Sequence, residues 1–138
     1  MNHNVTAYIQ NLTDAWNSHE IDVVLTYYSE DYEGVDIAEA RVQHGRVAVK
    51  EMLLRYWQAF PDLYFTVQST VAEENRIAIS WSAEGTHRGQ IMHIPPTGHR
   101  VEVKGISVIE VKDGVVVRGQ YIWDMAGMLR HIGLLPEL

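Results

Sequence analysis

Cysteine is absent from the 138-residue chain, and that absence removes disulfides, thiolate nucleophiles and thiolate metal sites together. Basic residues are scarce as well. Eleven Lys and Arg face 18 Asp and Glu, a formal charge of −7 with the histidines neutral. Nucleic acid and anionic membrane surfaces both reward clustered Lys and Arg, and the nearest approach to a cluster is Arg41 with Arg46. Neither kind of partner is expected. No run of about 18 apolar residues occurs, so no membrane-spanning helix is expected. Met1-Asn2-His3-Asn4 has neither the basic cap nor the apolar stretch of a secretory signal. The sequons Asn4-Val5-Thr6 and Asn11-Leu12-Thr13 are discounted on that ground. What remains is a cytoplasmic chain of one-domain length, which buries roughly 68–70% of its unfolded surface, enough for a core and an internal pocket.

Composition divides the chain into a helical first half and a β-rich second half. Val5, Tyr8, Ile9, Leu12 and Trp16 recur at spacings of three and four, which predicts a helix over 4–17. Asn17-Ser18-His19 interrupts it, and Asp22 is placed to cap a shorter helix reaching about Tyr28. Asp31 to Ile37 reads as a brief strand and loop. Val49, Met52, Leu53, Tyr56 and Trp57 then predict a helix over 46–59, stopped by Phe60-Pro61-Asp62 because proline cannot continue the ladder.

Beyond Pro61 the period falls from 3.6 to 2. Alternation predicts a strand over 63–71 and its partner over 76–87, with a turn at Glu73-Glu74-Asn75. A long loop with Pro95-Pro96-Thr97-Gly98 follows. Strands over 101–112 and 115–124 flank Asp113-Gly114, a strong hairpin signal. Met125 to about Ile132 closes the chain as a helix ending at Gly133. Helices first and an antiparallel sheet afterwards predict an α+β domain with helices packed on one sheet face.

The motifs of several chemistries are missing. No Gly-x-Ser-x-Gly elbow, no Gly-Lys-Ser/Thr phosphate loop and no Gly-x-Gly-x-x-Gly occurs. His87, His93 and His99 recur every six residues, but without His-x-His or His-Glu-x-x-His they read as ordinary loop residues, and no metal is expected. Asp124 stands out because it ends a strand and precedes a helix. One reading is an N-cap, worth about 1 kcal/mol. The other is a carboxylate held among aromatic side chains, where burial raises basicity toward that of a general base. Strand alternation puts Gln120 and Ile122 on the face of Asp124, with Tyr121 and Trp123 opposite. Trp16, Tyr27, Trp57, Phe60 and Trp81 are either core or the walls of a pocket for a flat apolar ligand.

The order of motifs resembles the SnoaL-like polyketide cyclases of the nuclear transport factor 2-like superfamily. Phe60-Pro61-Asp62, Gly85-Thr86-His87-Arg88-Gly89, Pro95-Pro96-Thr97-Gly98, Trp123-Asp124-Met125-Ala126-Gly127 and Ile132-Gly133-Leu134-Leu135-Pro136 carry the resemblance from about Tyr8 to Pro136. It implies a cone-shaped α+β barrel, a curved mixed or antiparallel sheet wrapped around the N-terminal helices, with an apolar pocket. It implies a homodimer or higher homo-oligomer, helped by Tyr121 and Trp123 facing outward. It further implies an intramolecular aldol ring closure on an apolar carbonyl substrate without metal or organic cofactor. Asp124 matches the position of the family's general base, and His87 or His93 is placed to donate to the oxyanion. The superfamily also contains ketosteroid-isomerase-like and epoxide-hydrolase-like enzymes and non-catalytic binding modules. Two departures stand out. Glu33-Gly34-Val35-Asp36 occupies the segment where many members carry a histidine, and His93 replaces a usual glycine.

Overall fold

A computed structural model describes residues 3–138, the side chain of His3 excepted. Met1 and Asn2, on which the reading of the N-terminus partly rests, lie outside the described residues. Four helices and six strands follow in the order α1 (His3–Ser18), α2 (Ile21–Leu25), β1 (Tyr28–Asp36), β2 (Arg41–His44), α3 (Gly45–Ala59), β3 (Tyr64–Glu73), β4 (Arg76–Thr86), β5 (Arg100–Lys112), β6 (Val115–Trp123) and α4 (Met125–His131). None of the described helices is long and apolar enough to cross a membrane.

The apolar stripe of α1 folds inward as its spacing requires: Ile9, Leu12 and Ala15 are buried. His19, at φ 58°, breaks the chain direction after α1. The second helix is shorter than the sequence suggests. It ends at Leu25, its N-cap is Glu20 without a side-chain hydrogen bond, and Asp22 sits inside its first turn instead. Tyr28 then opens a strand, because its ring belongs to the core at 1% exposure. In α3, Val49, Met52, Leu53 and Trp57 face the same core.

The six strands form one unclosed sheet in the order β2-β1-β6-β5-β4-β3. Every pairing is antiparallel except β1 with β6, which is parallel. The sheet is therefore mixed, and the first long strand lies beside the last. Irregularities at Tyr28/Glu33, Val67/Ser69 and Glu110/Val111 break the register, and such bulges increase local twist and bend a sheet around what it covers. Asp113 and Gly114 both take positive φ, 52° and 80°, the conformation a two-residue hairpin of this hand needs. After α4, Gly133 takes φ 86° while the Leu134 amide donates to the Leu129 carbonyl at 2.8 Å, a Schellman closure.

Alternation fixes which side chains enter the concave face. Ile79, Ser107 and Tyr121 stand in register across three strands, as do Trp81, Gly105 and Trp123. Ile79, Ser107 and Tyr121 are buried. The outer face carries Ser80, Ile106 and Ile122 in register, with Ile106 and Ile122 nearly half exposed. The sequence-based assignment of faces on β6 is thus reversed: Tyr121 and Trp123 point inward, and Gln120 and Ile122 point to solvent. The outward aromatic pair offered for self-association does not exist.

Candidate active site

Two chambers share the space between the concave sheet and the helices. The larger, about 710 Å³ counted to its mouth, is bounded among others by Leu12, Trp16, Tyr28, Asp36, Met52 and Ile109. The smaller, about 460 Å³, is bounded among others by Phe60, Leu63, Ile91, Val101, Val103 and Met128. Tyr56, Phe65, Trp81 and Trp123 line both, so these four rings form the partition. Phe65 and Trp81 meet edge to face at 5.4 Å, and Tyr56 and Trp123 at 6.0 Å. Gly105 makes the position of Trp81 possible, since a Cβ there would fall 2.3 Å from the indole. Pockets of a few hundred Å³ with apolar walls and a few fixed polar groups suit small apolar ligands.

The polar groups of the larger chamber are few and held. Asp36, at the end of β1, is 1% exposed. Its Oδ1 accepts from Trp123 Nε1 at 3.2 Å and from the Glu39 backbone amide at 3.3 Å. The Tyr56 hydroxyl reaches both Asp36 Oδ2 and Glu39 Oε2. Beyond Glu39, Arg41 Nε stands 3.3 Å from Oε1. Burial first, and then the Asp36 charge and hydrogen bonds to both carboxylates, push the Tyr56 phenol far above its ordinary pKa, so it keeps its proton.

A second polar group lies on the floor. The hydroxyls of Tyr32 and Tyr121 are 2.9 Å apart, and Tyr32 also reaches Gln43 Oε1 at 3.1 Å. Trp16 Nε1 donates to Tyr28 Oη at 3.1 Å, and Trp81 Nε1 to Ser107 Oγ at 2.9 Å. Burial raises the pKa values of Tyr28, Tyr32 and Tyr121, which keeps all three phenols neutral; Tyr28 and Tyr121 line the larger chamber, and Tyr32 stands behind Tyr121.

The family model of SnoaL-like polyketide cyclases matches residues 6–132 of this chain. The chain belongs to that family. Among solved structures, AclR from Streptomyces galilaeus, a candidate hydroxylase, is 28% identical with a TM-score of 0.84, over 96% of this chain and 87% of that one. IdmH from Streptomyces antibioticus, a candidate polyketide cyclase, is 27% identical with a TM-score of 0.81, over 95% and 99%. A protein of ketosteroid isomerase-like fold from Catenulispora acidiphila DSM 44928, solved with trimethylamine, reaches a TM-score of 0.81 over 93% of each chain at 15% identity. That last likeness is one of fold. No curated protein matches the chain in sequence.

In this SnoaL-like chain the residues singled out from sequence do not converge. Trp16, Phe60 and Trp81 line the chambers. Trp57 is core, stacked on His19 at 4.9 Å, and Tyr27 packs edge-on against Tyr8 at 5.8 Å; neither is among the lining residues. Gln120 and Ile122 lie on the outer face. Asp124 is exposed and caps α4, accepting from the Gly127 amide at 2.8 Å, and it is not among the lining residues of either chamber. The physical reason is that Asp124 follows the last paired residue of β6, where alternation no longer governs direction. His93 is exposed in the loop with φ 66°. Among the described residues no three His, Cys, Asp or Glu side chains converge on a metal position.

His87 is fully buried, yet it faces the loop and not the chambers. Its Nδ1 contacts Thr97 Oγ1 at 2.9 Å and accepts from the Thr97 amide at 3.3 Å, and its ring tilts against Phe60 at 5.6 Å. With Gly98 N donating to His87 O at 2.8 Å and His87 N to His99 O at 2.9 Å, the imidazole pins the loop over 88–99. Accepting at Nδ1 puts the proton on Nε2. Burial first, and then the nearby His99, lower its pKa. The unfolded chain therefore binds the proton better between the folded value and the ordinary value of about 6.5. Stability is full above that pH and falls as the pH drops below it toward the folded value. Melting temperatures at pH 7.5 and 5.5 are expected to differ more for the wild type than for His87→Gln. Equal pH dependence in the two proteins would clear His87 of this role.

Proposed function

We propose that this family member is a cyclase-type enzyme that works by proton transfer on an apolar carbonyl compound held across the two chambers, with Asp36 as its acid/base group. The observation that carries this reading is a carboxylate shielded from solvent in the wall of a largely apolar cavity, steadied by Trp123, Tyr56 and a backbone amide. In such a site Asp36 removes a proton from the carbon beside a carbonyl. The resulting enolate carbon attacks a second carbonyl of the same molecule, forming a carbon–carbon bond and an alkoxide, and the proton returns to that oxygen. Substrate and product are isomers, so the step consumes no co-reactant. The neutral hydroxyls of Tyr121 and Ser107 stand in the same chamber wall to meet developing oxyanion charge. Folding of the substrate by the aromatic partition supplies proximity, and the positioned carboxyl supplies about 10²–10⁴-fold.

Incubation with 2-tetralone, a small apolar enolisable ketone, in D₂O tests this reading. The protein is expected to accelerate α-deuterium incorporation, read by NMR, above the buffer rate. Binding without exchange, seen as quenching of Trp81 and Trp123 fluorescence, would instead make the cavity a non-catalytic binding site. Absence of both binding and exchange would remove the carbonyl pocket altogether.

A further inference from the structure

Tyr56 stands between two carboxyl groups, and proton counting makes that arrangement informative. Its oxygen is in hydrogen-bond contact with Asp36 Oδ2 and, at 2.5 Å, with Glu39 Oε2. A phenol has one proton and donates it to one acceptor; an ionised carboxylate has none to offer. The second contact therefore lacks a donor unless one carboxyl is protonated. Among the described residues no neighbour takes over that role. Trp123 Nε1 donates to the Asp36 carboxyl, 3.2 Å from Oδ1 and 3.5 Å from Oδ2, the Glu39 amide donates to Oδ1, and Arg41 faces Glu39 Oε1. The other titratable groups near Asp36 are Tyr32 on β1 and Tyr121 on β6, both neutral phenols engaged with each other. Two bare carboxylates meeting on one phenol would also place like charges close together where Asp36 is 1% and the Glu39 side chain 6% exposed, an expensive arrangement away from water.

We propose that Asp36, Tyr56 and Glu39 share two protons among three oxygens, and that Glu39 acts through Tyr56 as the positioning residue that decides whether Asp36 faces the cavity as a base or as an acid. In one arrangement the Glu39 carboxyl donates to Tyr56, and Tyr56 donates to an ionised Asp36. Moving both protons one place leaves Glu39 ionised beside Arg41 and Asp36 as the acid donating to Tyr56. Only O–H bonds exchange, and the group keeps one negative charge throughout. Glu39 also ends the chain on the side of Arg41, whose side chain is 55% exposed. A proton taken up by Asp36 thus has a way to solvent that does not run through a cavity filled by ligand.

Infrared spectroscopy at neutral pH tests this without any substrate. The wild type is expected to show the carboxylic-acid C=O band at the strength of one protonated carboxyl per chain, part of it shifted by ¹³C-labelling of the aspartate carboxyls. Glu39→Gln is expected to reduce the band at least tenfold, because the amide then donates to Tyr56 and Asp36 ionises. Tyr56→Phe is expected to do the same by removing the bridge. A wild-type spectrum without the band overturns the proposal, as does a band of full strength in both variants. If neither variant folds, the wild-type spectrum with its labelled-aspartate component decides alone. The proposal rests on the acid/base reading of Asp36 only for the use made of the proton. Band present without ketone exchange removes that reading; exchange present without the band removes this one.

Discussion

Asp36→Asn is expected to lower the rate of ketone α-exchange by about 10²–10⁴-fold, the contribution of one positioned acid/base group. Asparagine has nearly the shape of aspartate, and its carbonyl oxygen still accepts from Trp123 and the Glu39 amide. What it lacks is an oxygen that can take a proton. Circular dichroism and a melting curve separate the chemical loss from loss of structure. Asp124→Asn is the informative partner. Asparagine caps a helix about as well as aspartate, and the side chain is exposed at the start of α4. That variant is expected to keep both its fold and its rate. The opposite pair of results, an active Asp36→Asn and an inactive Asp124→Asn, would move proton transfer to the carboxylate that the family motif places before the last helix.

Gly34→Ala is expected to cost about 3–5 kcal/mol, combining overpacking with the loss of a buried hydroxyl pair. Gly34 and Gly119 face each other across the parallel β1–β6 ladder. A Cβ on Gly34 would lie 2.1 Å from Tyr32 Oη and 2.8 Å from the Gly119 carbonyl oxygen, and one on Gly119 would lie 2.5 Å from Tyr32 Oη and 2.6 Å from Tyr121 Oη. The Tyr32 ring folds back over the residue two places along its own strand. Bare backbone on both strands gives the two hydroxyls room to meet. A shift of the Tyr32 ring alone does not relieve the clash, because the second obstacle is main chain. For a domain of this size the melting temperature should fall roughly 10–20 °C. Tyr32→Phe in the Gly34→Ala background should recover part of it by removing the nearest atom. A fall of only a degree or two would mean that the floor of the cavity is softer than its geometry indicates.

Much of this was legible from periodicity. Ile9, Leu12 and Leu53 advertise their helices by spacing, and Asp113-Gly114 fixes the β5–β6 register by turn chemistry. The resemblance supplied the family and the curved sheet. Alternation anchored on Asp124 assigns the faces of β6 the wrong way round, because the ladder stops at Trp123. Burial of Tyr121 follows from Ser107 and Ile79 beside it, partners that sequence order does not display. β2 gave no signal, being four residues long with only the polar Gln43 buried. Asp36 falls in Asp31 to Ile37, a stretch that reads from sequence only as a brief strand and loop. One clue was present: it is in phase with Tyr32 and Gly34, the inward positions of β1. Glu39 lay in a turn and carried no pattern at all, since its meaning comes from Tyr56 on a helix 17 residues away.

The parallel seam between β1 and β6 also ties the surroundings of Asp36 to a strand far along the chain. Asp36 is seated by its ladder partner Tyr121 and by the indole of Trp123, both on β6. On a ribosome, β1 emerges some eighty residues before that strand exists, and until then its β6-facing edge has no native partner. Long-range pairings of this kind close late. The surroundings of Asp36 are thus complete only once β6 has docked, and a fluctuation that frees β6 removes them and parts β1 and β2 from the rest of the sheet.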